Sequence, residues 1–587
     1  MKRNLTIVML ALLTIIFVTN CQQNEINVEV NLEEGFLNPP NEAKPRVWWH
    51  WMNGNVTQDG IRKDLEWMHR SGIGGFQNFD AGLASPQIVE KRLVYMTPEW
   101  KDAFRFTTEL ADSLGLEMAI AGSPGWSESG GPWVKPEEAM KKVVWSEMRI
   151  DGGQTFSGVL PHPPTVSGTF QNLGAEGPIG AAEDSDHLPE YYRDISVIAY
   201  QVPENDFTLG ELNPTITSSG GKFSLEQLTD GDLVRSVELP YKTPGEYSWI
   251  QFEFKEPVSV QSLTIVTGGG GGRFNFGGGG SATQNLEVSN DGKNFEKVID
   301  IQGGRTAQKT LAFNAVTGKY FRINIQTPEP SRGNDMMAMM GFGGGNQPAP
   351  TGTPVMEVVL NTGARINRFE DKAGFATATD LEEVPTPEVS NAISKENIID
   401  LTSQMAEDGT LNWDVPEGKW NVIRLGFSLT GRENHPASPE ATGFEVDKLN
   451  PEYVRNYFTN YLDQYKDATG GLMGNRGLQY IITDSWEAGT QNWTDNMAAE
   501  FKARRGYELT PWLPALTGKV ISSAKESDEF LWDFRRTLEE LVAEYHYDQS
   551  TEILAERGMG RYSESHEGGR ALIADGMEVK RTAAVPM

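Results

Sequence analysis

The chain has 587 residues, enough for several domains and a large core. A net charge of −30 argues against nucleic acid or an anionic membrane surface as partner. One cysteine rules out a disulfide within the chain. Seven histidines with no Cys/His cluster at zinc spacing argue against a zinc enzyme.

Lys2 and Arg3 precede an apolar run over residues 7–18, and Thr19, Asn20 and Cys21 follow. A basic start, a short apolar stretch and small or polar residues make a bacterial secretory signal, and the run is short for a membrane span. A cysteine at the cleavage point resembles a lipoprotein signal. Residues 1–21 are therefore expected to be that signal, with lipid attached at Cys21, and the polar, acidic residues 22–43 a tether. The expected location is beyond the inner membrane, as an outer-membrane lipoprotein facing the periplasm or the cell surface. Membrane contact is expected only through the amino-terminal lipid.

Residues 46–54 read as a first strand dense in aromatics. Thr57 caps a helix in which Ile61, Leu65 and Met68 share one face, and Gly72 closes it. Residues 73–79 read as the next strand, followed by Asp80. Thr97-Pro98-Glu99 starts a second helix with Pro at its first position, and Gly115 ends it. A third strand at 118–121 leads into GSPGWSESGGPW, which carries Trp126 and Glu128. Residues 44–142 thus open a barrel or a doubly wound sheet.

From 143 to 425 the chain alternates at period two, with many Pro and Gly turns and no convincing amphipathic helix. Ile250, Phe252 and Phe254 alternate with Gln251 and Glu253, and Asn290-Asp291-Gly292 marks a hairpin turn. This predicts an all-β insertion with a jelly-roll sandwich at about 215–330. The order LTDGD, WIQF, VSNDGKNF and YFRI resembles discoidin-like, galactose-binding-like modules.

Helical order returns where Asn450 caps and Pro451 takes the first turn, with Val454, Tyr457, Phe458, Tyr461 and Leu462 on one face. A strand at 480–482, a helix around 497–505, a long helix from about 530 to 557 and a short strand at 560–563 follow. Residues 426–587 therefore continue the barrel. About five βα units are legible where a (β/α)8-type barrel needs eight. The missing strands would leave open sheet edges. The chain is accordingly expected to be the amino-terminal portion of a longer protein, its barrel incomplete at the carboxyl end.

In such a barrel the catalytic face lies where strands end. The stretch LQYIITDSWEAGTQNW, residues 478–493, therefore draws attention, because Asp484, Trp486 and Glu487 follow a short apolar strand. Glycosidic bond cleavage needs two carboxyl groups, one as acid on the leaving oxygen and one as base or nucleophile. Glu487 is the first candidate. Glu564 and Glu567, past the next strand, are candidates for the opposing position, and Trp486 is expected as the apolar wall that raises an acid's pKa. Asp484, His50, Trp51, Asp80, Trp126, Glu128 and His566 occupy strand-end positions and are expected to contact sugar. Trp48, Trp49 and Trp51 cannot all line one pocket, since alternate strand residues face opposite sides.

Six stretches, in order from about residue 45 to the end, resemble the bacterial α-L-rhamnosidases of glycoside hydrolase family 106. They are VWWHWMNGNVT, GSPGWSESGGPW, PASPEATGFEVDKLNPE, TDSWEAGTQNW, DFRRTLEELVAEYHYDQ and YSESHEGG. The resemblance implies an enzyme on a β/α barrel with β-sandwich appendages that releases terminal L-rhamnose from glycans. It also implies an inverting, two-glutamate mechanism and a calcium ion near the bound sugar. It carries Glu487 over as one catalytic glutamate, best placed as the acid, and leaves the second among Glu564, Glu567 and residues beyond Met587. Calcium requires hard oxygen ligands, for which Glu445 and Asp447 are the candidates. Two other readings stay open: a β-galactosidase or glucuronidase with a retaining pair roughly 5–5.5 Å apart, and a glycan-capture lipoprotein with a degenerate barrel. The sequence carries no signal for oligomeric state.

Overall fold

The computed structural model describes residues 32–83, 85–175, 188–268, 283–301, 306–328, 350–377, 380–564 and 573–587. The expected signal with Cys21, and the candidates His566 and Glu567, lie outside the described residues.

Strands β1 (Arg46–Met52), β2 (Gly75–Ala81) and β3 (Glu117–Ala121) are parallel neighbours. Helices α1 (Gln58–Arg70) and α2 (Pro98–Leu114) connect them. The local chemistry is the one read from sequence. Thr57 Oγ1 accepts from Gly60 N at 3.1 Å, Ile61, Leu65 and Met68 are buried, and α2 ends at Gly115 with φ 68°.

The insertion then supplies β4 (Lys141–Asp151), β5 (Gln154–Val159), β6 (Arg193–Gln201), β7 (Thr215–Ser218), β8 (Val237–Pro240) and β9 (Tyr247–Thr267). It continues with β10 (Gln284–Ser289), β11 (Glu296–Asp300), β12 (Gln308–Gln326) and β13 (Gly352–Asn361). β14 (Ile399–Asp400), β15 (Thr410–Val415) and β16 (Lys419–Leu429) complete it. An antiparallel sheet in the order β11-β10-β12-β9-β13-β8, with β7 on β9, encloses its own core around Ile250, Phe252, Leu263, Phe321 and Ile323. This sheet runs past the expected limit at residue 330, because β13 pairs with both β9 and β8. The turn at Asn290-Asp291-Gly292 belongs to a longer loop, residues 290–295. There the Asp291 carboxylate accepts from the backbone of Lys293 and Asn294 at 2.9 and 2.8 Å. A second sheet, β14-β6-β16-β4, packs Ile198, Ile423 and Phe427 against the carboxyl-terminal part of the chain, and β15 pairs with β5.

The carboxyl-terminal part contributes α3 (Pro451–Ala468), β17 (Leu478–Thr483), α4 (Met497–Arg505), α5 (Ala524–Leu541), β18 (Gly560–Ser563) and β19 (Val585–Pro586). α5 starts before the expected residue 530 because Ser523 caps it, accepting from Glu526 N at 3.1 Å. A π-helical turn, Val542–Asp548, interrupts the expected single long helix before α6 (Gln549–Ala555). The parallel sheet has the order β1-β2-β3-β17-β18-β19, one strand more than was counted from sequence. No pairing links β1 to β19, so among the described residues the sheet is open and the eight-stranded barrel is not seen.

The two faces of this sheet differ. One packs under α1, α2 and α3 through Trp51, Phe76, Trp100, Phe104, Phe458 and Ile481. Burial of each such side chain contributes roughly 1.5–3 kcal/mol. The opposite face carries a smaller cluster of Phe79, Ala119, Ala121, Ile482 and Tyr562, with Trp126 packed against it. No described helix is long and apolar enough to cross a membrane.

Candidate active site

The carboxyl ends of β3 and β17 are joined directly, Gly122 N donating to Ile482 O at 3.0 Å. A third segment, between β16 and α3, is folded onto both. Trp126 N and Ser127 N donate to the carbonyl of His435 at 3.1 and 3.0 Å, and His435 N donates back to Ser127 Oγ at 3.0 Å. Gly125 makes this approach possible. It has φ 85°, and a Cβ there would lie 2.6 Å from the His435 carbonyl oxygen.

The result is a convergence on one carboxyl group. Trp126 Nε1 donates to Glu487 Oε2 at 3.2 Å, and His435 Nε2 lies 3.5 Å from the same oxygen. The His435 and Glu487 side chains are only 8% and 7% exposed. His50 stacks on Phe79 with ring centroids 5.1 Å apart and meets Trp126 edge-on at 5.8 Å. Burial lowers the His50 pKa, which keeps its ring neutral beside the indole. Trp126, and not Trp486, is thus the indole that touches Glu487, and it does so through its N–H.

Two more carboxyls stand at the same end of the sheet. Glu564 follows β18 and is tied to the end of β17 by its backbone N–H, which donates to Thr483 O at 3.0 Å. Asp484 is buried, and loss of hydration, then the Glu564 and Glu487 carboxyls, push its pKa up to about 8. A carboxyl raised in this way holds a proton more readily than a free aspartate, and it lies within hydrogen-bonding reach of Glu564. Three carboxyls at neighbouring strand ends, with that of Asp484 raised further by the other two, form the kind of environment in which acid and base roles separate.

Other expected site residues point elsewhere. Trp51 is buried under the helices, edge-on to Trp100 and Phe104 at 5.8 and 5.9 Å. Asp80 pairs in register with Trp51 and so shares its face. Its carboxylate accepts from Trp100 Nε1 at 2.7 Å, and burial raises its pKa to about 7. Alternation along β1 and β2 thus puts His50 and Phe79 on the site face, and Trp51 and Asp80 on the helix face. Trp486 belongs to the core, with Nε1 donating to Gly489 O at 2.7 Å and Lys448 over its ring. Glu128 is fully buried and accepts from Tyr547 Oη at 3.0 Å, with His546 Nε2 at 3.1 Å. The π-helical turn brings these two consecutive side chains to one carboxylate.

Glu445 and Asp447, the expected calcium ligands, are each paired with a fully buried ammonium. Lys448 Nζ lies 2.8 Å from Glu445 and Lys141 Nζ 3.0 Å from Asp447. Thr494, Gln491 and the Leu449 N–H complete the shell of Asp447. A donor set that already holds two cationic side chains does not fit calcium. Among the described residues no group of three or more His, Cys, Asp or Glu side chains is arranged to hold a metal ion. His435 is the site residue that sequence reasoning missed. It stands just before the PASPEATGFEVDKLNPE stretch, in a loop without periodicity, and only the fold brings it to Glu487.

A buried carboxyl in contact with an indole and an imidazole, beside further strand-end carboxyls, is a candidate site for carboxylate-based hydrolysis. A family model described as alpha-L-rhamnosidase, glycoside hydrolase family 106, matches residues 37–587, and the chain belongs to that family. The solved rhamnosidase from Novosphingobium sp. PP1Y is 41% identical, superposes with a TM-score of 0.82 and covers 94% of this chain. This chain spans 49% of that protein. A protein of Formosa agariphila, provisionally named a beta-glucuronidase, is 26% identical over 565 residues, which is 96% of this chain and 33% of the relative.

Proposed function

We propose that this chain forms the acid-bearing part of an inverting exo-acting α-L-rhamnosidase that removes terminal L-rhamnose from glycans. The observation that carries the reading is the buried Glu487 carboxyl at the end of β17, held by Trp126 and His435. Family membership and the likeness to a solved rhamnosidase support the sugar. Glu487 is placed as the acid: it gives its proton to the glycosidic oxygen while the bond to the anomeric carbon breaks and water attacks the opposite face. A second carboxylate roughly 6.5–9.5 Å away would take the proton of that water. Calcium enters this reading through the resemblance alone, and no step is assigned to it. The sandwich is read as a galactose-binding-like jelly roll, and lipid on Cys21 as the tether to the outer membrane.

The test is hydrolysis of aryl α-L-rhamnoside against aryl β-D-glucuronide and β-D-galactoside by the 587-residue protein. Rhamnoside turnover is expected to fall about 10²–10⁴-fold in Glu487→Gln. Azide rescue of Glu564→Gln or Glu567→Gln identifies the base, and rescue of neither places it in chain outside these residues. Preference for the glucuronide, the activity named for the Formosa relative, would overturn the assigned sugar. Unchanged rhamnoside turnover in Glu487→Gln would overturn the assigned acid.

A further inference from the structure

We infer that Glu128, Tyr547 and Arg561 form a buried row of positioning residues that aims the Trp126 N–H at the Glu487 carboxyl. This rests on the reading of Glu487 as the acid, but its core is the placement of one indole, which can be measured without turnover.

The row starts in the loop after β3, where Trp126 and Glu128 stand two residues apart. Trp126 Nε1 reaches Glu487 Oε2 at 3.2 Å. The Glu128 side chain is fully buried and accepts from Tyr547 Oη at 3.0 Å. His546 Nε2 lies 3.1 Å from its other oxygen. Burial drives the His546 pKa well down, so that ring stays neutral. The Arg561 guanidinium lies over the Tyr547 ring, 5.2 Å from its centre, and is itself fully buried. Its Nη1 donates to Ser563 Oγ at 2.7 Å and to Thr483 Oγ1 at 3.3 Å. Ser563 and Thr483 are the last residues of β18 and β17, directly before Glu564 and Asp484. The row therefore runs from the loop of Trp126 to the two strand ends that carry the other candidate carboxyls.

A buried carboxyl and a buried guanidinium both cost desolvation that apolar side chains of the same volume would avoid. What they add is direction, since an N–H···O bond weakens steeply when it is misaligned. The loop is tied to two different elements. Ser127 and Ser129 are bonded to His435 and Glu445, on the segment between β16 and α3. Glu128, between them, is bonded instead to the π-helical turn. Trp126 is braced by the first set of bonds against its neighbour segment and by the second against the ends of β17 and β18. If the Tyr547 hydroxyl is lost, the second brace goes and the indole is free to swing off the carboxyl.

The experiment is ¹H–¹⁵N NMR of the full 587-residue protein labelled with ¹⁵N in tryptophan. The Trp126 indole signal is assigned by its loss in Trp126→Phe, and its bond to the carboxyl by the upfield move of its Hε1 in Glu487→Ala. Tyr547→Phe removes one hydroxyl and keeps the ring under Arg561, and Glu128→Gln keeps the shape and removes the acid. Both are expected to move the Trp126 signal upfield. Tyr200→Phe removes another buried hydroxyl, bonded to Asn421 in the second sheet, and should leave that signal in place. A Trp126 signal unmoved in both row variants, or moved equally by Tyr200→Phe, overturns the proposal. Failure of both row variants to fold also overturns it, because the row would then be a folding element. On an aryl α-L-rhamnoside, Tyr547→Phe should lower kcat about tenfold and have no further effect on top of Trp126→Phe. Equal losses in both backgrounds overturn action through Trp126. A wild-type chain that hydrolyses no rhamnoside counts against the hydrolase reading and leaves the NMR result to judge the row. An active chain whose Trp126 signal ignores positions 128 and 547 counts against the row alone.

Discussion

Trp51 and Trp126 both lie near the ends of parallel strands, and they do different things because of what they face. The Trp126 indole donates to Glu487. The Trp51 indole is sandwiched with Trp100 and Phe104, and its Nε1 has no partner among the described residues. Trp126→Phe keeps the ring and loses the N–H, so kcat on an aryl rhamnoside is expected to fall about tenfold, the effect of one net hydrogen bond. The urea midpoint should hardly move. Trp51→Ala should do the reverse, costing about 3–5 kcal/mol of stability while the folded fraction keeps its turnover. Steady-state rates and urea denaturation on the same two variants decide the matter. The sequence could say that Trp49 and Trp51 face opposite Trp48 and His50, because alternation is intrinsic to a strand. Which pair faces the helices depends on how α2 packs, and no local pattern encodes that. Asp80 escaped for the same reason, and Trp486 because an aromatic beside a candidate site residue can turn into the core as easily as towards that residue.

At the scale of elements, the strands and capped helices of the parallel sheet were the legible part. Thr57, Thr97, Gly115, Asn450 and Pro451 sit at helix ends where backbone groups need partners, and those needs are local. The π-helical turn at Val542–Asp548 was not legible, since a widened turn follows from the Glu128 carboxylate that it embraces and Glu128 lies on another element. The loop between β16 and α3 was misread in one respect: its acidic residues Glu445 and Asp447 answer to Lys448 and Lys141. Glu445→Gln should therefore leave a buried ammonium without its counter-charge and cost roughly 3–5 kcal/mol. Urea melts should show the same loss with added calcium as with chelator. A loss that appears only when calcium is present would restore the metal at this place.

The whole molecule has several cores with different owners. The sheet of β7 to β13 closes most of its apolar residues into a cluster of its own. The sheet of β4, β6, β14 and β16 instead shares a core with the carboxyl-terminal part, where Ile198, Ile423 and Phe427 join Trp486, Phe530 and Phe534. Two cooperative units are expected from this division. Phe321→Ala, inside the core of that sheet, should accelerate hydrogen exchange in β9 and β12 and leave β16 and α5 protected. Phe534→Ala should loosen β16 and α5 together. Uniform acceleration throughout the molecule in both variants would show that the cores are coupled.

The bond between Trp126 and Glu487 spans 361 positions of sequence. While the chain is being made, its first three parallel strands emerge long before the loop that carries His435 and the strand that carries Glu487. During that interval β3 has an unclaimed edge, and the Trp126 ring has neither the imidazole nor the carboxyl that will hold it. Closure over so long a contour is slow, and an exposed strand edge beside aromatic side chains is where nascent chains stick to one another. For this protein the vulnerable moment in its manufacture, and the natural opening for a chaperone, falls between the synthesis of residue 126 and that of residue 487.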